Sequence, residues 1–268
     1  MVYRFLLMAV VCVASHAAMA RDGVMQPHKA VYELSLSQAR QASAITNISG
    51  TLEYVMADTC DAWVVNQQMM MKLSSRTGDV IDRKGSLASW ERKDGREYRF
   101  TSRHSENGVE TEFYKGVAKK YFFDAEAKYE TPDNIGTVKL PREVVFPTAH
   151  TVEMLKRARD KTEIFTMRMF DGNDDKGQMD LTAALSPWHA PAAPVPDELK
   201  NSEALQGQTA PARIGFFEVD QVEAEPEYEM ILELHQNGIA REMAVDYGDF
   251  TMLARLKTLD VQPLPTCP

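Results

Sequence analysis

Arg96-Glu97-Tyr98-Arg99-Phe100-Thr101-Ser102, a turn at Asn107-Gly108, and then Val109-Glu110-Thr111-Glu112-Phe113-Tyr114 form the stretch on which the fold class turns. Side chains alternate in character every residue, with Tyr98 and Phe100 on one face and the charges on the other, which is the period of a half-buried strand. Asn-Gly supplies the positive φ angles that a two-residue hairpin turn needs. The stretch therefore reads as an antiparallel hairpin.

The same pattern extends in both directions. Ala30–Leu36 alternates with Tyr32, Leu34 and Leu36 on one side, and Gly50–Met56 with Leu52, Tyr54 and Met56. Trp63–Leu73 is a long strand rich in Val and Met. Lys93-Asp94-Gly95 and Asn237-Gly238 mark further tight turns, and Gly78-Asp79 and Gly248-Asp249 weaker ones. Glu227–His235 and Ile239–Tyr247 flank Asn237-Gly238 as a long hairpin, and Phe250–Leu259 adds one more strand. The count is roughly a dozen or more strands joined mostly by short turns, a meander rather than a βαβ series. The expectation is mainly β: one large antiparallel sheet curled into a barrel or sandwich.

One helix interrupts the pattern. After Phe146-Pro147-Thr148, apolar Val152, Leu155 and Ala158 recur at helical spacing over about 149–160, with Lys156, Arg157 and Arg159 near the C-terminal end, where they complement the helix dipole. Thr148 or Thr151 is the expected N-cap. A lone helix beside a curved sheet is expected to plug or cover the concave face. The stretch 186–213 holds Pro187, Pro191, Pro194, Pro196 and Pro211, so it reads as a long excursion without regular structure, functional or mobile, within one domain.

The N-terminus sets the compartment. Arg4, the apolar run Phe5–Ala14 and Ala18-Met19-Ala20 form the three parts of a secretory signal peptide, residues 1–20, cleaved near Ala20. The domain is then 21–268. Cleavage removes Cys12 and leaves Cys60 and Cys267, which pair in an oxidising compartment; two free thiols are the alternative. A net charge of −9 argues against nucleic acid and gives no reason to expect an anionic membrane surface as partner.

Enzyme templates are absent: no Gly-x-Ser-x-Gly elbow, no His-Glu-x-x-His, no glycine-rich phosphate loop. His28, His104, His150, His189 and His235 are scattered without metal-ligand spacing and read as surface or capping residues. Asp171, Asn173 and Asp175 fit the first positions of a calcium loop, but Lys176 and Thr182 stand where glycine and glutamate belong, so an acidic turn is the simpler reading. Met69 and Met71 share a strand face and read as core, not copper ligands. Trp63 reads as a core anchor beside the disulfide. No cofactor or metal is expected.

The order of several pieces carries a resemblance. Ala30-Val31-Tyr32-Glu33-Leu34-Ser35-Leu36 is followed by Cys60-Asp61-Ala62-Trp63, then by Phe146-Pro147-Thr148-Ala149-His150, then by Phe170-Asp171-Gly172, with Cys267 near the end. Over essentially the whole mature length this resembles the cell-envelope integrity protein EipB family of alphaproteobacteria. The resemblance implies a periplasmic, spiral-like antiparallel sheet with a helix set within or against it and a Cys60–Cys267 disulfide. It also implies a non-catalytic role in envelope integrity and stress resistance, exercised with a periplasmic tetratricopeptide-repeat protein. Trp63, Phe146, Pro147, His150, Asp171 and Gly172 are the structural or partner-related candidates. The second reading is a carrier or sensor of a lipid or other apolar ligand, since the curled sheet is similar in outline to periplasmic lipoprotein carriers.

Overall fold

The computed structural model describes residues 25–131, 135–161, 163–173, 177–191, 195–221 and 225–267. The signal-peptide reading at 1–20 lies outside them. The chain passes through β1 (His28–Ala39), β2 (Ile45–Asp58), β3 (Ala62–Ser75), β4 (Val80–Arg92), β5 (Glu97–Glu106), β6 (Val109–Lys120), β7 (Ala125–Glu130) and β8 (Ile135–Leu140). Helix α1 (Pro147–Arg159) follows. Then come β9 (Ile164–Phe170), β10 (Gln178–Leu185), β11 (Thr209–Phe217), β12 (Tyr228–His235), β13 (Ala240–Asp246) and β14 (Phe250–Val261).

All fourteen strands belong to one antiparallel sheet, ordered β8-β7-β6-β5-β4-β3-β2-β1-β14-β13-β12-β11-β10-β9. Two meanders thus fan out from a central seam where β1 pairs with β14, from His28 opposite Val261 to Ala39 opposite Phe250. The sheet is not closed. Its two ends are β8 and β9, and α1 is the connection between them. Turn chemistry sets the hairpins as expected. Asn107 and Gly108 take φ of 51° and 82°, the pair of left-handed residues that matches strand twist. The Asn237-Gly238 turn differs. Only Gly238 is left-handed there, and the backbone of His235 bonds to both Gly238 and Ile239, making a three-residue loop.

The helix lies inside the curl. Met154, Leu155 and Ala158 are buried with Met56, Trp63 and Val65 of one meander and with Phe165, Leu181, Ile214 and Leu232 of the other. Strands this far apart in the sheet order share one helix only when the sheet curls around it. Each fully buried Leu, Met or Phe adds roughly 1.5–3 kcal/mol, so the helix holds the two arms together.

One expectation needs correcting. The Pro-rich excursion is not structureless: β11 begins at Thr209, within 186–213, and a short 3₁₀ turn, Glu203–Leu205, folds back over the sheet. Leu199 and Leu205 are buried against Tyr32, Leu34 and Ile239, and Asn237 Nδ2 donates to the Ala204 carbonyl. Side chains of this flap and of α1 therefore belong to the buried interior of the curl. Pro211 is tolerated in β11 because its carbonyl side faces Ser186, just past the end of β10, so its missing N–H breaks no ladder bond. Met69 and Met71 pack into the core while Met70 is exposed, as alternation requires.

Candidate functional site

The seat of α1 is built from one row of residues across the sheet. Trp63 faces Glu91, Glu91 faces Tyr98, Tyr98 faces Ala118 and Ala118 faces Ala127. All five are buried on the concave side. The two alanines leave room for the segment between β8 and α1. That segment first adds to the edge of β9 through Val145, whose N–H donates to Arg168 and whose carbonyl accepts from Phe170. Phe146 then drops into the space, fully buried, and stacks on Tyr98 with centroids 5.2 Å apart.

Glu91 caps the helix from another strand. Neither Thr148 nor Thr151 is the N-cap: that position is Phe146, which has no capping side chain. Pro147 at the first helical position has no N–H to satisfy. The N–H groups of Thr148 and Ala149 donate to the two Glu91 carboxylate oxygens at 2.8 and 2.7 Å, and that of His150 donates to the Phe146 carbonyl. The free donors at the second and third helical positions are thereby satisfied, and the carboxylate sits where the helix dipole favours negative charge.

Burial pushes the Glu91 carboxyl up to about 7, against the opposing pull of the Thr148 and Ala149 N–H groups and of Lys120. Burial also holds His150 and His235 down at about 4 and lowers His28. The signs oppose. Between about 4.5 and 7 the unfolded chain has released the Glu91 proton and the folded chain keeps it, so this group's contribution to stability falls as pH rises. Below 6.5 the unfolded chain protonates His150 and His235 and the folded chain does not, so their contribution falls as pH drops towards 4. Two against one gives a net loss on acidification of about 1.4 kcal/mol per pH unit from these three groups. Glu91→Gln removes the opposing carboxyl and steepens that slope to about 2.7 kcal/mol per unit. Urea midpoints measured between pH 4.5 and 6.5 check this; parallel slopes for the two proteins would refute it.

The structure brings together the two segments that the sequence singled out. Phe170 is fully buried, edge-on to Tyr98 and Phe146, and the Tyr98 hydroxyl donates to the Asp171 carbonyl at 3.1 Å. Gly172 has φ of +71°, and a Cβ there would stand 2.4 Å from the Phe100 ring, so both backbone and space require glycine. The Asp171 carboxylate accepts from Asn173, closing an Asx turn. Asp175 and Lys176 of the calcium-loop comparison lie outside the described residues. Among the described residues no cluster of three His, Cys, Asp or Glu side chains is placed to hold a metal.

The remaining candidates lie at the same end of the sheet or inside it. Cys60, in the β2–β3 turn with φ of 71°, is disulfide-bonded to Cys267, with Cα atoms 5.5 Å apart. Its N–H donates to Asp58, which also pairs with Lys93 at 2.6 Å; the Lys93 ammonium lies 4.1 Å over Trp63. Trp63 is the core anchor expected, with a cation on its outer face. The histidines correct the expectation: His28, His150 and His235 are buried, not surface residues. His150 Nε2 and both ring nitrogens of His235 have no hydrogen-bond partner among the described residues. Glu91 was missed because a charge in an alternating strand reads as solvent-facing, and its helix partners lie 57 and 58 residues away.

The chain as a whole is similar to known proteins. The EipB-like family model matches residues 19–263. The chain is 26% identical to the cell envelope integrity protein EipB of Brucella abortus (strain 2308), over 91% of this chain and 88% of that protein. Its fold is similar to the crystal structure of a β-barrel-like protein of a domain of unknown function from Brucella abortus. There the TM-score is 0.82 at 25% identity, over 90% of this chain and 99% of that one. With the family model spanning nearly the whole described fold, the chain belongs to the EipB-like family.

Proposed function

We propose that the mature chain is a non-catalytic periplasmic protein that maintains the cell envelope and its resistance to stress by engaging a tetratricopeptide-repeat protein. One observation carries the reading: full-length similarity to a protein named for cell-envelope integrity. The export signal read at 1–20 and the Cys60–Cys267 bond support an oxidising compartment. The repeat-protein partner comes from the family resemblance. Glu91, the buried carboxylate whose raised pKa would otherwise mark a catalytic acid, has both oxygens occupied by the helix backbone, which supports a structural role for it. The edge strand β8 offers unpaired backbone to which a partner strand can add.

The test is genetic and biochemical. Deletion is expected to sensitise cells to detergents and to cell-wall antibiotics, with rescue by the exported chain but not by a form lacking residues 1–20. Crosslinking in intact cells, followed by purification of the tagged chain, is expected to recover a repeat protein. Normal resistance in the deletion strain, or no envelope protein in the crosslinked fraction, would overturn the reading.

A further inference from the structure

Three consecutive connections meet at the disulfide end of the sheet: the β4–β5 turn, the β6–β7 turn and the segment after β8. The Lys120 N–H donates to the Arg96 carbonyl, and the Tyr121 N–H to the Asp124 carbonyl, so the first two turns are tied and tight. Between the three lies an open cleft of about 500 Å³ lined by Arg96, Lys120, Arg142, Asp94, Tyr121 and Phe122. Its one carboxylate is engaged, since Asp94 pairs with Arg92 at 2.8 Å and accepts the Arg96 N–H. Arg96 and Arg142 are exposed and have no ion-pair partner among the described residues. Lys120 is balanced by Glu91 and Glu143, so the unpaired positive charge of the cleft is that of Arg96 and Arg142, on a chain whose net charge is −9.

Beside the cleft stands the most exposed aromatic pair of the described residues. Phe122 and Phe123 are 76% and 85% exposed at the tip of the turn, their rings edge to face at 4.6 Å, with the Arg142 guanidinium 6.0 Å from Phe122. Two phenylalanines in water on a convex tip make no contact that stabilises the fold. Phe122 borders the cleft and Phe123 stands clear of it, so the pair presents apolar surface to whatever approaches the rim. Basic side chains at the base of such a tip reach the headgroup phosphates.

We propose that this rim attaches the protein reversibly to an anionic phospholipid bilayer. Phe122 and Phe123 enter the headgroup–acyl boundary, and Arg96 and Arg142 bind phosphate oxygens. Overall acidity had argued against this partner; the fold concentrates cations that the sequence scatters between Arg96 and Arg142. The proposal uses the exported reading only for its setting, and its test does not depend on the repeat-protein partner.

Chain purified after export is mixed with unilamellar vesicles of phosphatidylglycerol and phosphatidylethanolamine and, in parallel, of phosphatidylcholine alone, and sedimented at low and high salt. Binding to the anionic vesicles only, weakened by salt, is expected. Phe122→Ser with Phe123→Ser is expected to lower the partition coefficient about tenfold or more, with an unchanged melting curve because both rings are already exposed. Arg96→Gln with Arg142→Gln is expected to reduce low-salt binding and leave the high-salt residue unchanged. Phe123→Trp is expected to shift its emission to the blue on vesicles and to be quenched by brominated lipid. Absence of binding to anionic vesicles, or binding indifferent to the aromatic pair, would overturn the proposal. So would a photo-crosslinker at position 123 that labels protein and no lipid in cells. Failure of the genetic test with vesicle binding intact removes the envelope reading alone.

Discussion

Replacing Cys60 and Cys267 together with serine lowers the free energy of unfolding by about 5 kcal/mol, the loop-entropy value for a bridge of this span, and the melting temperature by roughly 10–20 °C. The bridge joins residues 207 apart in sequence. In the folded state it restrains little else, because residues 262–267 have no regular structure. Gln262 is held by its N–H on the Pro27 carbonyl and its own carbonyl on Gln26 Nε2, and Cys267 itself is exposed. The stabilisation therefore resides in the unfolded chain, which the bridge keeps from expanding. Melting curves of the two proteins with and without reductant check this. The natural protein is expected to fall to the serine variant's temperature on reduction, and the variant to ignore reductant. A serine variant that melts within a degree or two of the parent would show that the loop restraint contributes nothing.

Phe146→Ala is expected to cost about 3–5 kcal/mol, the range for a large aromatic removed from a packed interior. The ring is fully buried, stacked on Tyr98, edge-on to Phe170, and 5.3 Å beneath the Lys120 ammonium. It is also the residue from which the helix starts, so its loss frees the seat that Glu91 caps. Phe146→Leu refills part of the volume and is expected to recover about half of the loss. Urea titrations give both values. An alanine variant within about 1 kcal/mol of the parent would mean that the helix is held by Met154, Leu155 and Ala158 alone.

Strands were legible wherever alternation was clean and the turn carried glycine. Tyr98 and Phe100 are buried as their spacing demands, and Tyr32 and Leu34 likewise. β4 was not read as a strand: Asp82, Arg83 and Lys84 in succession obscure its period, yet they lie on a sheet end open to water. The helix was found within two residues, but its cap was not, because Glu91 comes from a strand far away in sequence. Local rules name the short polar residue nearest the start, Thr148, whereas the tertiary fold supplies a longer acid from across the interior. Pairing of β1 with β14 is equally invisible, since nothing in either strand states its partner. The excursion was misjudged because prolines announce irregular backbone without announcing burial; Leu199 and Leu205 carry that signal, and two isolated leucines have no period to read.

The central seam has a consequence for how the molecule is made. Each meander is assembled from neighbours in sequence, so β2–β8 and β9–β13 form from local contacts that close quickly. β1 and β14, more than two hundred residues apart, meet last. Until they do, β1 has one unpaired side, and that side is the middle of the finished sheet, with Ala30, Tyr32 and Leu34 awaiting their cover. A chain delivered from β1 towards β14 waits for its whole length to arrive before this edge is protected. The interval is when it is most prone to join a second copy of itself, and when a holding chaperone has the most to do.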